Sequence, residues 1–236
     1  MRQVALVTGA TEGIGRAIAF ALARGGYSVG TCARTPDRLR TLLAELEAEG
    51  IHAAGIPADV GDEAAVGRLV RHVTDALGPV DTLVNNAGIG ILKPISGLSL
   101  DEWDATMRTN VRGMFLMTRA VLPAMCAART GAIVNIASLA GRNGIVGGTA
   151  YCASKHAVLG FSKALMLEVR QEGIRVIAIC PGSVDTGFGP DRVVPKLNRA
   201  SILRPEDVAD TVVAALRLPE RALVSELDLR PTTPQP

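Results

Sequence analysis

The chain of 236 residues carries a formal net charge of only +2, with no basic run and no interleaved aromatics. That argues against a nucleic acid or an anionic membrane as partner. Hydrophobic residues make up 48% and aromatics only 3%, so the core is expected to be Val, Ile, Leu and Ala, as in a parallel sheet covered on both faces. Cys32, Cys126, Cys152 and Cys180 are widely spaced, and His52, His72 and His156 lack ligand spacing. Neither a metal site nor a disulfide framework is expected.

The length suits one α/β domain over 1–236. Val4–Val7 is a continuous apolar run, hence a buried strand. Glycines follow, then a helical stripe of Ile14, Ala17, Ile18, Ala21 and Leu22. A strand near Ser28–Cys32 precedes a helix with Leu39, Leu42, Leu43 and Leu46 on one face. His52–Ile56 reads as a weaker strand, followed by a helix carrying Val66, Leu69, Val70, Val73 and Leu77, and by a fourth strand at Val80–Val84. Ser99-Leu100-Asp101-Glu102 is a helix start with an N-cap and early acids. Val111, Met114, Phe115, Thr118, Leu122 and Met125 mark a second helix in the same crossover. Ile133–Ile136 is the fifth strand, Thr149–Gln171 a long helix and Ile174–Cys180 the sixth strand. A helix over Pro205–Leu216, an edge strand over Ala222–Leu229 and an irregular tail at 230–236 complete the chain. Repeated βα alternation predicts a Rossmann-type doubly wound parallel sheet, order 3-2-1-4-5-6 with a seventh edge strand and helices on both faces. With no signal peptide and no apolar span of ~20 residues, the expected location is the cytoplasm.

Thr8-Gly9-Ala10-Thr11-Glu12-Gly13-Ile14-Gly15 lies between the first strand and the first helix. Glycines there let the backbone approach a phosphate while the helix N-terminus offers free amides. The Lys-Ser/Thr of a nucleotide-hydrolysing loop is missing, so a dinucleotide is the better occupant. Asp59-Val60, Asn85-Asn86-Ala87-Gly88, Ser138 and Pro181-Gly182 follow the third to sixth strands. All fall on the sheet edge where ligands bind in open α/β folds.

Tyr151 and Lys155 stand one turn apart at the start of the long helix, so they share a face. Bringing a phenol from a pKa of ~10 to neutrality requires about three units, or ~4 kcal/mol. One close cation supplies about 1–3 units. Lys155 just suffices on that scale, and an oxidised nicotinamide ring would add margin. Such a tyrosine can exchange a proton with a carbonyl or alcohol oxygen, and Ser138 can hydrogen-bond the same oxygen.

Thr-Gly-x-x-x-Gly-Ile-Gly at 8–15, Asn-Asn-Ala-Gly at 85–88, Tyr-x-x-x-Lys at 151–155 and Pro-Gly at 181–182 together make the chain resemble the short-chain dehydrogenase/reductase family over essentially its whole length. The resemblance implies Tyr151 as proton donor or acceptor, and Lys155 as the residue that lowers its pKa and holds the nicotinamide ribose. It implies Ser138 as the orienting group and Asn110 as the holder of a proton-relaying water, although an asparagine near a helix start is also a common cap. Gly9, Thr11, Gly13, Ile14 and Gly15 would meet the pyrophosphate side of the cofactor. Asp59 and Val60 would contact the adenine, with Asn86, Ala87 and Gly88 lining its pocket. Val184 and Thr186 would hold the carboxamide end of the nicotinamide, and Pro181 and Gly182 would belong to the same cofactor site.

Ala33 stands where an acid would read the ribose 2′-hydroxyl, and Arg34 follows it. An arginine fork suits a 2′-phosphate, so NADP(H) is expected, with NAD(H) as the alternative; Glu12, at a loop position often basic in phosphate-preferring members, speaks against it. A substrate loop is expected around 187–203, with Phe188, Val193, Val194 and Leu197 among Arg192, Lys196 and Arg199. The expected reaction reduces a small or medium ketone or a 3-oxo (3-hydroxy) acid-like compound. The ending Leu227–Thr232 resembles the branch with 3-hydroxy acid and serine dehydrogenases. A 3-oxoacyl thioester reductase and a non-catalytic nucleotide sensor are the alternatives. Helices at 111–126 and 149–171, with the stripe Ala153, Ala157, Gly160 and Ala164, resemble the family's assembly pair, so a homo-oligomer (dimer or tetramer) is expected.

Overall fold

The structure is a computed structural model that describes residues 2–188, 201–219 and 221–233. The expected loop residues Arg192, Val193, Val194, Lys196, Leu197 and Arg199 lie outside them. Strands β1 (Val4–Thr8), β2 (Ser28–Ala33), β3 (Ala53–Pro57), β4 (Thr82–Asn85), β5 (Gly131–Ile136), β6 (Ile174–Pro181) and β7 (Glu226–Leu229) form one sheet. Its order is β3-β2-β1-β4-β5-β6-β7, and every ladder is parallel. Order and class are as read from the alternation of apolar runs.

Period-two alternation splits the core. Ala5 and Val7 of β1 face one layer with α1 (Gly13–Arg24), α2 (Pro36–Ala48) and α7 (Pro205–Leu216). Val4 and Leu6 face the other, with α3 (Glu63–Leu77), α5 (Gly113–Ala128) and α6 (Thr149–Val169). Helix starts follow their local chemistry. Asp62 accepts a 2.7 Å bond from Ala65 N at the head of α3. Ser99 and Glu102 form a reciprocal capping box at α4 (Leu100–Met107), which removes two orphan amides. The four cysteines are unpaired.

Three differences have physical causes. β7 is shorter than the run 222–229, because only Glu226–Leu229 pairs with β6. The crossover after β4 is one continuous helical run in which a π-helical turn, Arg108–Arg112, joins α4 to α5; Asn110 therefore lies inside a helix and caps nothing. That run, Leu100–Ala128, is also apolar enough to cross a membrane by length and composition, contrary to the sequence expectation. Here it packs Leu116, Met117, Val121 and Met125 into the core.

Candidate active site

The loops that follow β1, β4, β5 and β6 meet at the carboxyl edge of the sheet. Gly9 and Gly13 have φ of 65° and 56°, a left-handed conformation that costs glycine nothing. The N-cap of α1, Glu12, makes no side-chain cap bond, which leaves the helix's first amides to the crevice. Thr8 and Asn86 brace the turn. Thr8 Oγ1 accepts from the backbone amides of Asn86 and Ala87, each at 3.0 Å. Asn86 Nδ2 donates to Thr8 O at 3.0 Å and Gly9 O at 3.1 Å. A Cβ on Gly13 would lie 3.1 Å from the Thr186 methyl, so the turn closes onto the segment after β6. Thr11, Ile14 and Gly15 complete it.

Ser138 lies two residues past β5, and its Oγ accepts from Ala140 N at 3.1 Å, the start of a tight turn over Leu139–Gly141. Tyr151 and Lys155 occupy the first two turns of α6. Lys155 is 6% exposed, and its Nζ donates to Ile136 O at 2.8 Å. Ile136 runs one residue past the last β4–β5 pair, Asn85 with Asn135. Burial pushes the Lys155 ammonium down to about 8, with Cys180 pulling weakly the other way. Burial also pushes the Tyr151 phenol up, opposed by its hydrogen bond with Ser138 and reinforced by Cys152. Lys155 Nζ lies 5.8 Å from the Tyr151 ring centroid.

Asn110 is buried, with both amide protons and one lone pair of its oxygen engaged. Its Nδ2 donates to Ile89 O at 2.9 Å and Ser154 Oγ at 3.0 Å, while its Oδ1 accepts from Ile89 N at 2.8 Å. Ser154 Oγ in turn donates to Tyr151 O at 2.7 Å. Asn110 thus ties the loop after β4 to the helix that carries Tyr151. Ser154 was not singled out in the sequence, where it reads as a small core residue between two marked ones. Beneath Lys155 lies a cavity of about 10 Å³ lined in part by Thr8, Asn85, Asn110 and Ile136, room for about one water. The buried Asn85 Oδ1 has no donor among the described residues.

Toward the expected adenine side, Asp59 accepts from Gly61 N at 2.8 Å and pairs with Arg108 at 2.9 Å. Val60 is buried beneath it, and Ala87 and Gly88 line the crevice wall. Arg34 is exposed at the end of β2. Glu12 pairs at 2.9 Å with Arg38 of α2, a second cation near the expected phosphate that the sequence pattern did not reveal. On the substrate side, Phe188 lies 5.8 Å from Tyr151 at an interplanar angle of 51°, and Ile145 and Val146 are exposed nearby in the loop before α6. Gly182 N donates to Leu229 O at 2.8 Å, and Val184 bridges to Leu203. No cluster of His, Cys, Asp and Glu among the described residues suits a metal.

The comparisons with known proteins agree with this arrangement. The "putative ketoacyl reductase" of Streptomyces coelicolor is 40% identical over 230 residues, 89% of this chain and 88% of the relative. A solved structure of an actinorhodin polyketide ketoreductase variant with NADPH superposes with a TM-score of 0.90 at 38% identity, over 98% of this chain and 96% of that one. The closed form of a serine dehydrogenase with NADP+ gives 0.89 at 33% identity, over 96% and 94%. The family model described as short chain dehydrogenase matches residues 3–193, a span that holds the glycine turn, Ser138, Tyr151 and Lys155. The chain belongs to the short-chain dehydrogenase family.

Proposed function

We propose that this oxidoreductase uses NADP(H) and reduces a ketone to a secondary alcohol. The observation that carries the reading is the convergence of Ser138, Tyr151 and Lys155 beside an uncapped helix N-terminus. That cradle suits a dinucleotide: a side chain at Gly13 would close on Thr186, and the amides at the head of α1 suit a pyrophosphate. Gly9, Thr11, Gly13, Ile14 and Gly15 would face the phosphates, and Arg34 the 2′-phosphate. Asp59, Val60, Asn86, Ala87 and Gly88 would meet the adenosine side. Lys155 would hold the nicotinamide ribose, Val184 and Thr186 the carboxamide, and Pro181 and Gly182 would belong to the same cofactor site. When bound, the cofactor supplies the hydride.

The chain's own groups manage the proton. Burial keeps the Tyr151 phenol protonated, which suits a donor to the oxygen of a carbonyl under reduction. An alkoxide is far more basic than a phenolate, so the transfer runs downhill. Ser138 hydrogen-bonds the same oxygen and orients it. The Phe188 ring beside Tyr151 gives the site an apolar side that favours an apolar body beside the carbonyl. The similar proteins are named for a ketoacyl group and for serine, a 3-hydroxy acid. Both support a 3-oxo (3-hydroxy) carboxyl compound, free or as a thioester, as the substrate class. A nucleotide sensor of the same fold would have no use for the Ser138–Tyr151–Lys155 set.

We also propose a homo-oligomer. Gly160 and Ala164 are exposed on α6, and a Cβ at Gly160 would touch nothing. With Phe115 and Leu167 also exposed, this face suits a second copy, and sedimentation would separate dimer from tetramer. The test of the activity is oxidation of NADPH and of NADH over simple ketones, 1,2-diketones, 3-oxo acids and 3-oxoacyl thioesters. Tyr151→Phe should abolish turnover and leave NADPH affinity within about twofold; wild-type turnover in that variant would remove Tyr151 from the chemistry.

A further inference from the structure

We infer that Arg142 is a positioning residue: it clasps the Ser138 loop to the closing edge strand through Glu226 and Asp228, and so holds Ser138 against Tyr151. The inference rests on the reading of Ser138 and Tyr151 given above.

After Ser138 the chain makes one tight turn and must then return to α6. Two anchors fix that turn. At Gly141 the backbone packs on α6, where a Cβ would stand 2.7 Å from Lys155 O. At Arg142 the guanidinium reaches across to β7. Its Nε donates to Asp228 Oδ1 at 2.5 Å, and its Nη2 to Glu226 Oε2 at 2.6 Å. Glu226 and Asp228 are two apart on one strand, so both carboxylates leave the same face. Two nitrogens of one planar fork thus engage two carboxylates, an arrangement a lysine would not reproduce.

The surroundings strengthen the clasp. Lys163 of α6 lies 3.3 Å from Glu226, and Arg230 lies 3.3 Å from Asp228. The side chains of Arg142, Glu226 and Asp228 are 31%, 18% and 32% exposed, so salt screens the group less than an open surface pair. The carboxylates hold the guanidinium well above its ordinary pKa, and Arg142 holds Asp228 low despite partial burial. β7 also supports the cofactor side of the site, since Leu229 O accepts from Gly182 N at 2.8 Å. The last strand therefore braces two loops of the site, and Arg142 is the link to the one that carries Ser138.

The test is a kinetic double-mutant cycle on the full chain, with turnover, KM and NADPH affinity measured for each variant. Arg142→Ala should lower kcat about tenfold or more, the scale of a small misplacement of a reacting group, and shift NADPH affinity less than about twofold. Glu226→Gln combined with Asp228→Asn should reproduce that loss from the other side. In a Ser138→Ala background, Arg142→Ala should cost nothing further, because its effect runs through Ser138. Arg142→Lys should retain part of the activity, and it serves in place of Arg142→Ala if that variant does not fold. Wild-type kcat in Arg142→Ala, or an undiminished loss in the Ser138→Ala background, would overturn the inference alone. Wild-type turnover in Ser138→Ala would overturn the reading of the site and the inference with it.

Discussion

Lys155→Met should stabilise the fold while it destroys the activity. The ammonium is 6% exposed, and burial takes it from 10.5 in the free side chain to about 8. At 1.36 kcal/mol per unit this is a cost of about 3 kcal/mol carried by the native state at neutral pH. Methionine removes the charge, fills a similar volume and leaves Ile136 O without its 2.8 Å donor, which returns about 1–2 kcal/mol. The net gain at pH 7 is about 1–2 kcal/mol, a rise of a few degrees in melting temperature for a chain of this size. The sign with pH is specific. Between about 8 and 10.5 the unfolded lysine holds its proton while the native one has lost it, so wild-type stability climbs with pH over that window. The advantage of methionine should therefore shrink as pH rises above 8, vanish near pH ~9–9.5 and reverse by about 10.5, because wild type regains about 3 kcal/mol over that window. Thermal melts of the two proteins across that range, in the absence of cofactor, read this directly. A methionine variant less stable than wild type at pH 7, or a difference that does not change with pH, would refute the reasoning.

Other outcomes follow from single contacts. Arg34→Ala should weaken NADPH about tenfold, the worth of one charged contact to a phosphate, and leave NADH nearly unchanged in binary titrations; equal effects on both cofactors would remove Arg34 from the phosphate. Glu12→Gln should tighten NADPH a few-fold by releasing Arg38 from its 2.9 Å pair, since an exposed pair of this kind is worth ~1 kcal/mol or less. Gly15→Ala places a Cβ on Asn86 Nδ2 and Gly9 O, so it should abolish cofactor binding and lower the melting temperature.

What the sequence shows plainly is what short-range pattern encodes. Val4–Val7 reads as a strand because a four-residue apolar run between polar ends has few other uses, and the glycine turn reads as a phosphate cradle because it opens a helix. The π-helical turn at Arg108–Arg112 is invisible to such reading, since one extra residue in a helical ladder has no propensity of its own. The length of β7 was overestimated because edge pairing depends on β6, not on local hydrophobicity. The clasp between Arg142 and β7 joins residues 84 and 86 positions apart, and only the fold brings them together. The partner of Lys155 is hidden for the same reason. Spacing puts Tyr151 and Lys155 on one face, but where β4 stops and leaves Ile136 O open decides what the ammonium touches.

That last point generalises across the site. Each functional loop begins where a parallel ladder ends, and each ladder end exposes backbone carbonyls that need donors. Asn86 serves Thr8 O and Gly9 O, Asn110 serves Ile89 O, and Lys155 serves Ile136 O. Side chains thus replace missing strand partners, and the same bonds aim the chemistry. The two asparagines are uncharged, so for them support and positioning cannot be separated: removing either leaves buried carbonyls open and loosens a loop. Lys155 differs because its charge costs more to bury than its one bond returns. A neutral group of similar shape would cost the fold less there, and the Lys155→Met melts read that difference directly.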